Sequence, residues 1–231
     1  MRSKPAHSTI DIVLPVIKPA GWTSFDVVKK IRGLFGVRKV GHAGTLDPFA
    51  TGLLLICLGR ATRKVPELMQ LEKEYVAQVK LGEETDTLDP TGKIVQSKPV
   101  PLLTPEQIQS VLRQFEGTIE QEVPAYSAVK VNGQRLYKLA RKGQTVPRVV
   151  RTARIYGIEL LTLQEQGFTF RVVCGRGTYV RALARDMARA LGTVGYLAAL
   201  ERTRIGAYTV QKAYTIQQLE NTSLLELSAE L

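Results

Sequence analysis

Asp47 is the only carboxylate in a glycine-hinged stretch, Gly41-His42-Ala43-Gly44-Thr45-Leu46-Asp47-Pro48-Phe49-Ala50-Thr51-Gly52, that runs directly into the apolar segment Leu53 to Leu58. Glycine permits tight backbone geometry, and Pro48 biases Asp47 away from helix. A buried strand next in line would give the loop a rigid base, a common way to carry a working side chain. Two other residues could serve such a carboxylate: Tyr75, at the head of an alternating strand, and Arg181, in the helix start Thr178-Tyr179-Val180-Arg181. An aspartate held near a guanidinium has its pKa lowered and stays a competent nucleophile or base at neutral pH. Planar side chains such as His42 can stack where an RNA base has been flipped out, and enzymes that act on a base need that displacement. Singly, Asp47 reads as a turn former, His42 as a loop histidine, Tyr75 as strand packing and Arg181 as a solvated helix residue. Their combination points to chemistry on a nucleic acid.

The elements that would position these residues follow from periodicity. Thr23-Ser24-Phe25-Asp26 opens a helix with Val27, Val28, Ile31, Leu34 and Phe35 on one face and Lys29, Lys30 and Arg32 elsewhere. Tyr75 to Leu81 alternates as a half-buried strand, and Asp86 to Gly92 reads as a turn. Thr104-Pro105-Glu106-Gln107 carries a cap, a proline at the first helical position and a capping-box glutamine. Ile155 to Leu163 and Phe168 to Cys174 form a hairpin, and the helix after Gly177 buries Val180, Leu183, Ala184, Met187 and Leu191 while Arg181, Arg185 and Arg189 share its other face. After Gly206 the spacing predicts a short strand and a polar tail. Hairpins are as frequent as strand-helix alternation, so the expected class is α+β, with a mixed, largely antiparallel central sheet flanked by helices. One domain over residues 1–231 is expected, with a basic excursion over about 124–151 suited to gripping a phosphate backbone.

Composition narrows the partner. Lys and Arg number 32 against 21 acidic residues, for a net charge of +11. The cations are interleaved with Tyr and Phe, which favours nucleic acid over an anionic membrane. The longest apolar run is too short to span a bilayer, and residues 1–22 do not resemble a signal peptide, so a cytoplasmic protein is expected. Cys57 and Cys174 read as reduced core cysteines, and two cysteines with two histidines make a structural zinc site improbable. Dinucleotide and phosphate-loop fingerprints are missing, Asp86 and Asp89 lack the ligand spacing of a calcium loop, and no nucleophile elbow supports Ser-His-Asp hydrolysis.

The chain closely resembles the TruB-type tRNA pseudouridine synthases. The matching stretches are Lys18-Pro19-Ala20-Gly21-Trp22-Thr23-Ser24, the Gly41 to Gly52 loop, Lys73-Glu74-Tyr75, Leu81-Gly82 with Thr85-Asp86-Thr87 and Asp89, Pro124 to Lys130, Gly177 to Arg181, and Leu200 to Gly206. The resemblance implies the pseudouridine synthase fold and an isomerase that converts uridine 55 in the tRNA T-loop to pseudouridine, with no cofactor or metal. It implies Asp47 as nucleophile, Tyr75 against the target base, Arg181 paired with Asp47, and His42 wedged into the loop. Tyr179 and Leu200 resemble substrate-contacting positions of the family, and Lys18 and Lys130 are assigned to substrate binding with them. The expected partner is the tRNA T-arm, bound by a monomer without an obligatory protein partner. Relatives usually carry a small C-terminal RNA-binding domain, for which the residues up to Leu231 are expected to be too few. The alternatives are a guide-RNA-dependent synthase of the same superfamily and a non-catalytic chaperone of tRNA folding.

Overall fold

The computed structural model describes residues 11–230. The chain is of the mixed α+β class, with mostly antiparallel strand pairing and helices packed on the strands. It divides into two compact units, Met1–Leu71 with Glu201–Leu231, and Glu72–Leu200; the strand Gly195–Ile205 carries the chain from the second back into the first.

In the first unit the strand Thr51–Gly59 is central. Every side chain from Leu53 to Leu58 is fully buried. Alternation sends Leu54, Ile56 and Leu58 into one apolar cluster and Leu53, Leu55 and Cys57 into another, so the predicted apolar run has no solvent face. The strand Asp11–Lys18 pairs antiparallel along its length, with Lys18 opposite Gly52. Val40–Ala43 pairs antiparallel with Leu55 to Leu58, and Glu201 and Arg202 pair parallel with Thr51 and Gly52. The helix Ser24–Phe35 begins at a capping box: Asp26 N–H donates to Thr23 Oγ1, and the Asp26 carboxylate accepts from Thr23 N–H at 2.8 Å. Its residues Val27, Val28 and Ile31 enter the cluster of Leu54, Ile56 and Leu58. The expected polar tail instead forms two short helices, Ile216–Glu220 and Leu224–Glu230, because Leu219 and Leu227 bury in that same cluster. Tyr214 also exchanges backbone hydrogen bonds with Pro15 and Ile17 of the first strand.

The second unit holds four antiparallel strands in the order Lys73–Leu81, Gly167–Cys174, Val150–Gln164, Gly117–Glu122. Tyr75, Ala77, Val79 and Leu81 face inward as their alternation predicts. The helix Pro105–Arg113 starts at the Thr104/Gln107 capping box, and the helix Val180–Ala190 packs against it and against the sheet. The basic segment forms a hairpin of Lys130–Val131 with Gln134–Arg135, turned by Asn132 and Gly133 at φ 49° and 79°, followed by the helix Leu136–Arg141. It has a small apolar core of its own, Val123, Val129 and Leu136. Its last residues, Val150 and Arg151, already lie in the long strand Val150–Gln164.

Candidate active site

Within the first unit, the Asp47 loop is held by hydrogen bonds to its backbone. At the N-terminus of the first helix, Ser24 Oγ accepts from Leu46 N–H at 2.9 Å. Pro48 O accepts from Gly21 N–H at 2.8 Å and from Lys18 Nζ at 3.1 Å, and Ala50 N–H donates to Asp47 O at 3.1 Å. Residues on both sides of Asp47 are thereby fixed. Leu46 and Ala50 are buried while Asp47 stays half-exposed, so the loop presents its carboxylate on a rigid mount.

Lys18, expected from the sequence to bind substrate, is fully buried, and its ammonium donates to Pro19 O at 2.8 Å, Trp22 O at 2.7 Å and Pro48 O at 3.1 Å. An ammonium has three protons to give. All three are taken by carbonyls, leaving none for a phosphate, so Lys18 braces the loop. Burial pushes its pKa down to about 8; the nearby Asp47 carboxylate raises it and the Arg202 guanidinium lowers it further. His42, opposite Ile56 in the strand pair, is half-buried. Its Nδ1 is enclosed without a hydrogen-bond partner among the described residues. Burial, then the positive charge of Arg202, holds its pKa below the usual value, which keeps the imidazole neutral at pH 7.

Within the second unit, Tyr75 is 9% exposed in the strand Lys73–Leu81. Arg181, read from sequence as a residue of a solvated face, is 5% exposed. The turn after Thr85 and the start of the basic segment close over it: Nη1 donates to Thr87 O at 2.8 Å and to Asp89 Oδ2 at 3.4 Å, and Nη2 donates to Tyr126 O at 3.0 Å. Arg185 is likewise buried, at 7%, beside Asp186, whereas Arg189 reaches out to Glu84. Guanidinium geometry suits such convergent acceptors, which fix the plane of the group.

Two residues were missed by sequence reasoning. Asp89 is the turn former its setting predicts, since Oδ1 accepts from Thr91 N–H at 3.0 Å and from the Thr87 and Thr91 hydroxyls. Its second oxygen, however, is the ion-pair partner of Arg181. Gln121, 1% exposed, clamps the backbone of one residue: Oε1 accepts from Tyr179 N–H at 3.0 Å and Nε2 donates to Tyr179 O at 3.3 Å. No sequence motif marks it. Tyr179 is the residue before the helix that carries Arg181, and its ring packs on the small core of the basic segment. Leu200 is buried in the strand Gly195–Ile205.

Lys130 stands apart from these residues, on the exposed hairpin. With Arg135, Lys138 and Lys142 it lines a cavity of about 590 Å³ without a carboxylate, a place where phosphate charge would be neutralised. Arg141 lies over the Tyr137 ring instead, 5.5 Å from its centre. Among the described residues no group of three His, Cys, Asp or Glu could hold a metal ion, and no helix is long and apolar enough to cross a membrane.

The family model described as TruB family pseudouridylate synthase (N terminal domain) matches residues 32–180, and that of the tRNA pseudouridylate synthase B C-terminal domain matches residues 181–229. The chain is 46% identical to tRNA pseudouridine synthase B of Caldanaerobacter subterraneus subsp. tengcongensis, over 92% of this chain and 75% of that protein. It is 45% identical to the protein of the same name from Parabacteroides distasonis, over 88% of this chain and 89% of that one. Among solved structures, a chain of a Cbf5-Nop10-Gar1 complex superposes with a TM-score of 0.73 at 32% identity; the match covers 93% of this chain and 55% of that one, so the chain spans about half the length of that neighbour. An H/ACA RNP bound to a substrate RNA containing 2'-deoxyuridine gives a TM-score of 0.68 at 30% identity, over 90% of this chain and 52% of that one.

Proposed function

The chain belongs to the TruB family of pseudouridylate synthases, and from that premise we propose that it isomerises uridine to pseudouridine in tRNA, at position 55 of the T-loop, with Asp47 as nucleophile. The observation that carries the reading is the mounting of Asp47: the residues on either side of it are pinned by Ser24, Gly21 and Lys18 while its carboxylate stays half-exposed. The reaction breaks the N1 to C1′ bond, turns the freed uracil, joins C5 to C1′ and releases the C5 hydrogen as a proton while N1 takes up a proton. One ionised carboxylate serves either by attacking C1′ or by initiating elimination across the sugar. Tyr75 lies against the displaced base and takes part in proton transfer, and Arg181 is the cationic partner of Asp47. His42 fills the space that the flipped base leaves, and Tyr179 and Leu200 contact the substrate. The basic segment over 124–151 grips the T-arm backbone. The chain acts as one catalytic domain, a monomer of the cytoplasm that needs no partner protein.

The test is release of tritium from a T-arm hairpin labelled at uridine C5, with purified chain and no other component. The parent is expected to release it, and Asp47→Asn to lose turnover while binding the hairpin about as well. Turnover in the variant removes Asp47 from the chemistry. The likeness to Cbf5 within a Nop10-Gar1 complex favours a second reading, a synthase that works with guide RNA and protein partners. An inactive parent that gains activity only with those components decides for it.

A further inference from the structure

Arg202 is among the largest fully buried side chains of the described residues, at 1% exposure. No carboxylate stands within ion-pair distance of it among those residues. A buried cation without a counter-charge is unfavourable unless its donors are well used. Nε donates to Leu53 O at 2.7 Å and Nη2 to Gly44 O at 3.1 Å. These two carbonyls lie on opposite sides of Asp47, three residues before it and six after.

The backbone of Arg202 touches the same loop. Arg202 pairs parallel with Gly52, and a Cβ on Gly52 would come within 2.4 Å of Arg202 O. Gly44 lies on the other side, its Cβ position at an ordinary contact distance of 3.6 Å from Nη1. Gly52 is therefore the glycine at which chain must approach Arg202 closely. The guanidinium is a rigid planar fork, and here it spans the mouth of the loop as a staple. The strand end at Ala43 and the strand Thr51–Gly59 are already set by pairing with their neighbours, so the staple acts by tying Gly44, the first residue after Ala43, to Leu53 of that fixed strand.

We propose that Arg202 is a positioning residue for the reaction: by tying Gly44 to Leu53 it sets the height and direction from which Asp47 meets the sugar. It touches neither substrate nor reacting atoms and works through the loop backbone. The proposal rests on the reading of Asp47 given above. Its charge also reaches Lys18 and His42, the other polar side chains at the base of the loop, lowering the proton affinity of both.

The discriminating quantity is the rate of the chemical step in folded protein, separated from RNA affinity. Arg202→Lys keeps the charge but replaces the planar fork with a single ammonium. Arg202→Met keeps the bulk and removes every donor. With enzyme saturating over the labelled hairpin, the single-turnover rate is expected to fall about 10-fold to 100-fold in Arg202→Lys and further in Arg202→Met, the scale of a misplacement of about 1 Å. Hairpin affinity should stay within about twofold, because only uniform binding would move it. The folded fraction is read by circular dichroism at the assay temperature, and rates are expressed per folded molecule. If both variants turn over within about twofold of the parent on that basis, Arg202 is a structural residue and the proposal is wrong. An inactive parent instead removes the underlying reading, so the two failures are told apart.

Discussion

Gly52 closes the Asp47 loop, and substituting it by alanine tests whether that closure is as tight as described. Its φ of +99° lies where side chains are strained, and the added Cβ would stand 2.4 Å from Arg202 O, 2.7 Å from Arg202 N and 3.0 Å from Arg202 C. All three are backbone atoms of the paired strand, with no flexible end to swing aside. Unbonded heavy atoms rest at about 3.5 Å, so the strands must part by about 1 Å. The backbone strain costs about 1–3 kcal/mol. Overpacking in a buried setting adds about 1–3 kcal/mol more. For a chain of this size each kcal/mol moves the melting midpoint by about 2–4 °C, so Gly52→Ala should melt about 4–24 °C below the parent. Gly33 is the control: it sits exposed in the helix Ser24–Phe35, and a Cβ there meets nothing within 4 Å. Gly33→Ala should gain about 0.5–1 kcal/mol and raise the midpoint slightly. Both are read by thermal denaturation followed by circular dichroism. A Gly52→Ala protein melting within about 2 °C of the parent would refute the close approach of loop and strand.

Other outcomes follow from residues of each unit taken by itself. His42 should titrate below 6.5 in an NMR pH series, its signal assigned by loss in His42→Gln; with the folded pKa below the unfolded one, the unfolded chain binds more protons in that window, so stability is full above pH 6.5 and declines as pH falls through it. A measured value at or above 6.5 contradicts the burial described. Replacing Lys130, Arg135, Lys138 and Lys142 together with alanine should reduce the slope of log affinity for the hairpin against log salt by up to about 3, and an unchanged slope places the RNA path elsewhere. Gln121→Leu leaves both backbone groups of Tyr179 without their side-chain partner and should destabilise the protein by about 1–3 kcal/mol in urea unfolding; a midpoint equal to the parent's would mean that water replaces the clamp.

The elements set by neighbours in sequence were legible before the structure was known. Thr23 with Asp26 and Thr104 with Gln107 announce two helix starts, and alternation alone identifies the inward face of Tyr75 to Leu81. What periodicity could not convey was enclosure by distant chain. A helical wheel puts Arg181 and Arg185 on a polar face, but Thr87 and Tyr126, 94 and 55 residues from Arg181, cover it. The burial of Lys18 is hidden from the sequence, because its partners are three carbonyls, which every residue has and no motif spells out. Leu219 and Leu227 looked like isolated leucines in a polar tail until their cluster was visible. Asp89 fitted a turn so well that nothing local hinted at its second oxygen.

The first unit is assembled from both sides of an interruption. Its core residues Ile205, Leu219 and Leu227, and the Arg202 staple 149 residues from Leu53, are encoded after the whole of Glu72–Leu200. At about 5–20 residues per second, a ribosome would take about 6–26 s to make the intervening segment. Throughout that time the Asp47 loop is already synthesised but lacks the strand that closes it. A nascent chain that has not yet passed Glu201 is thus expected to carry Asp47 on its Ser24, Gly21 and Lys18 contacts but without the Arg202 bonds to Gly44 and Leu53, so that the loop closes fully only after Glu72–Leu200 has been made.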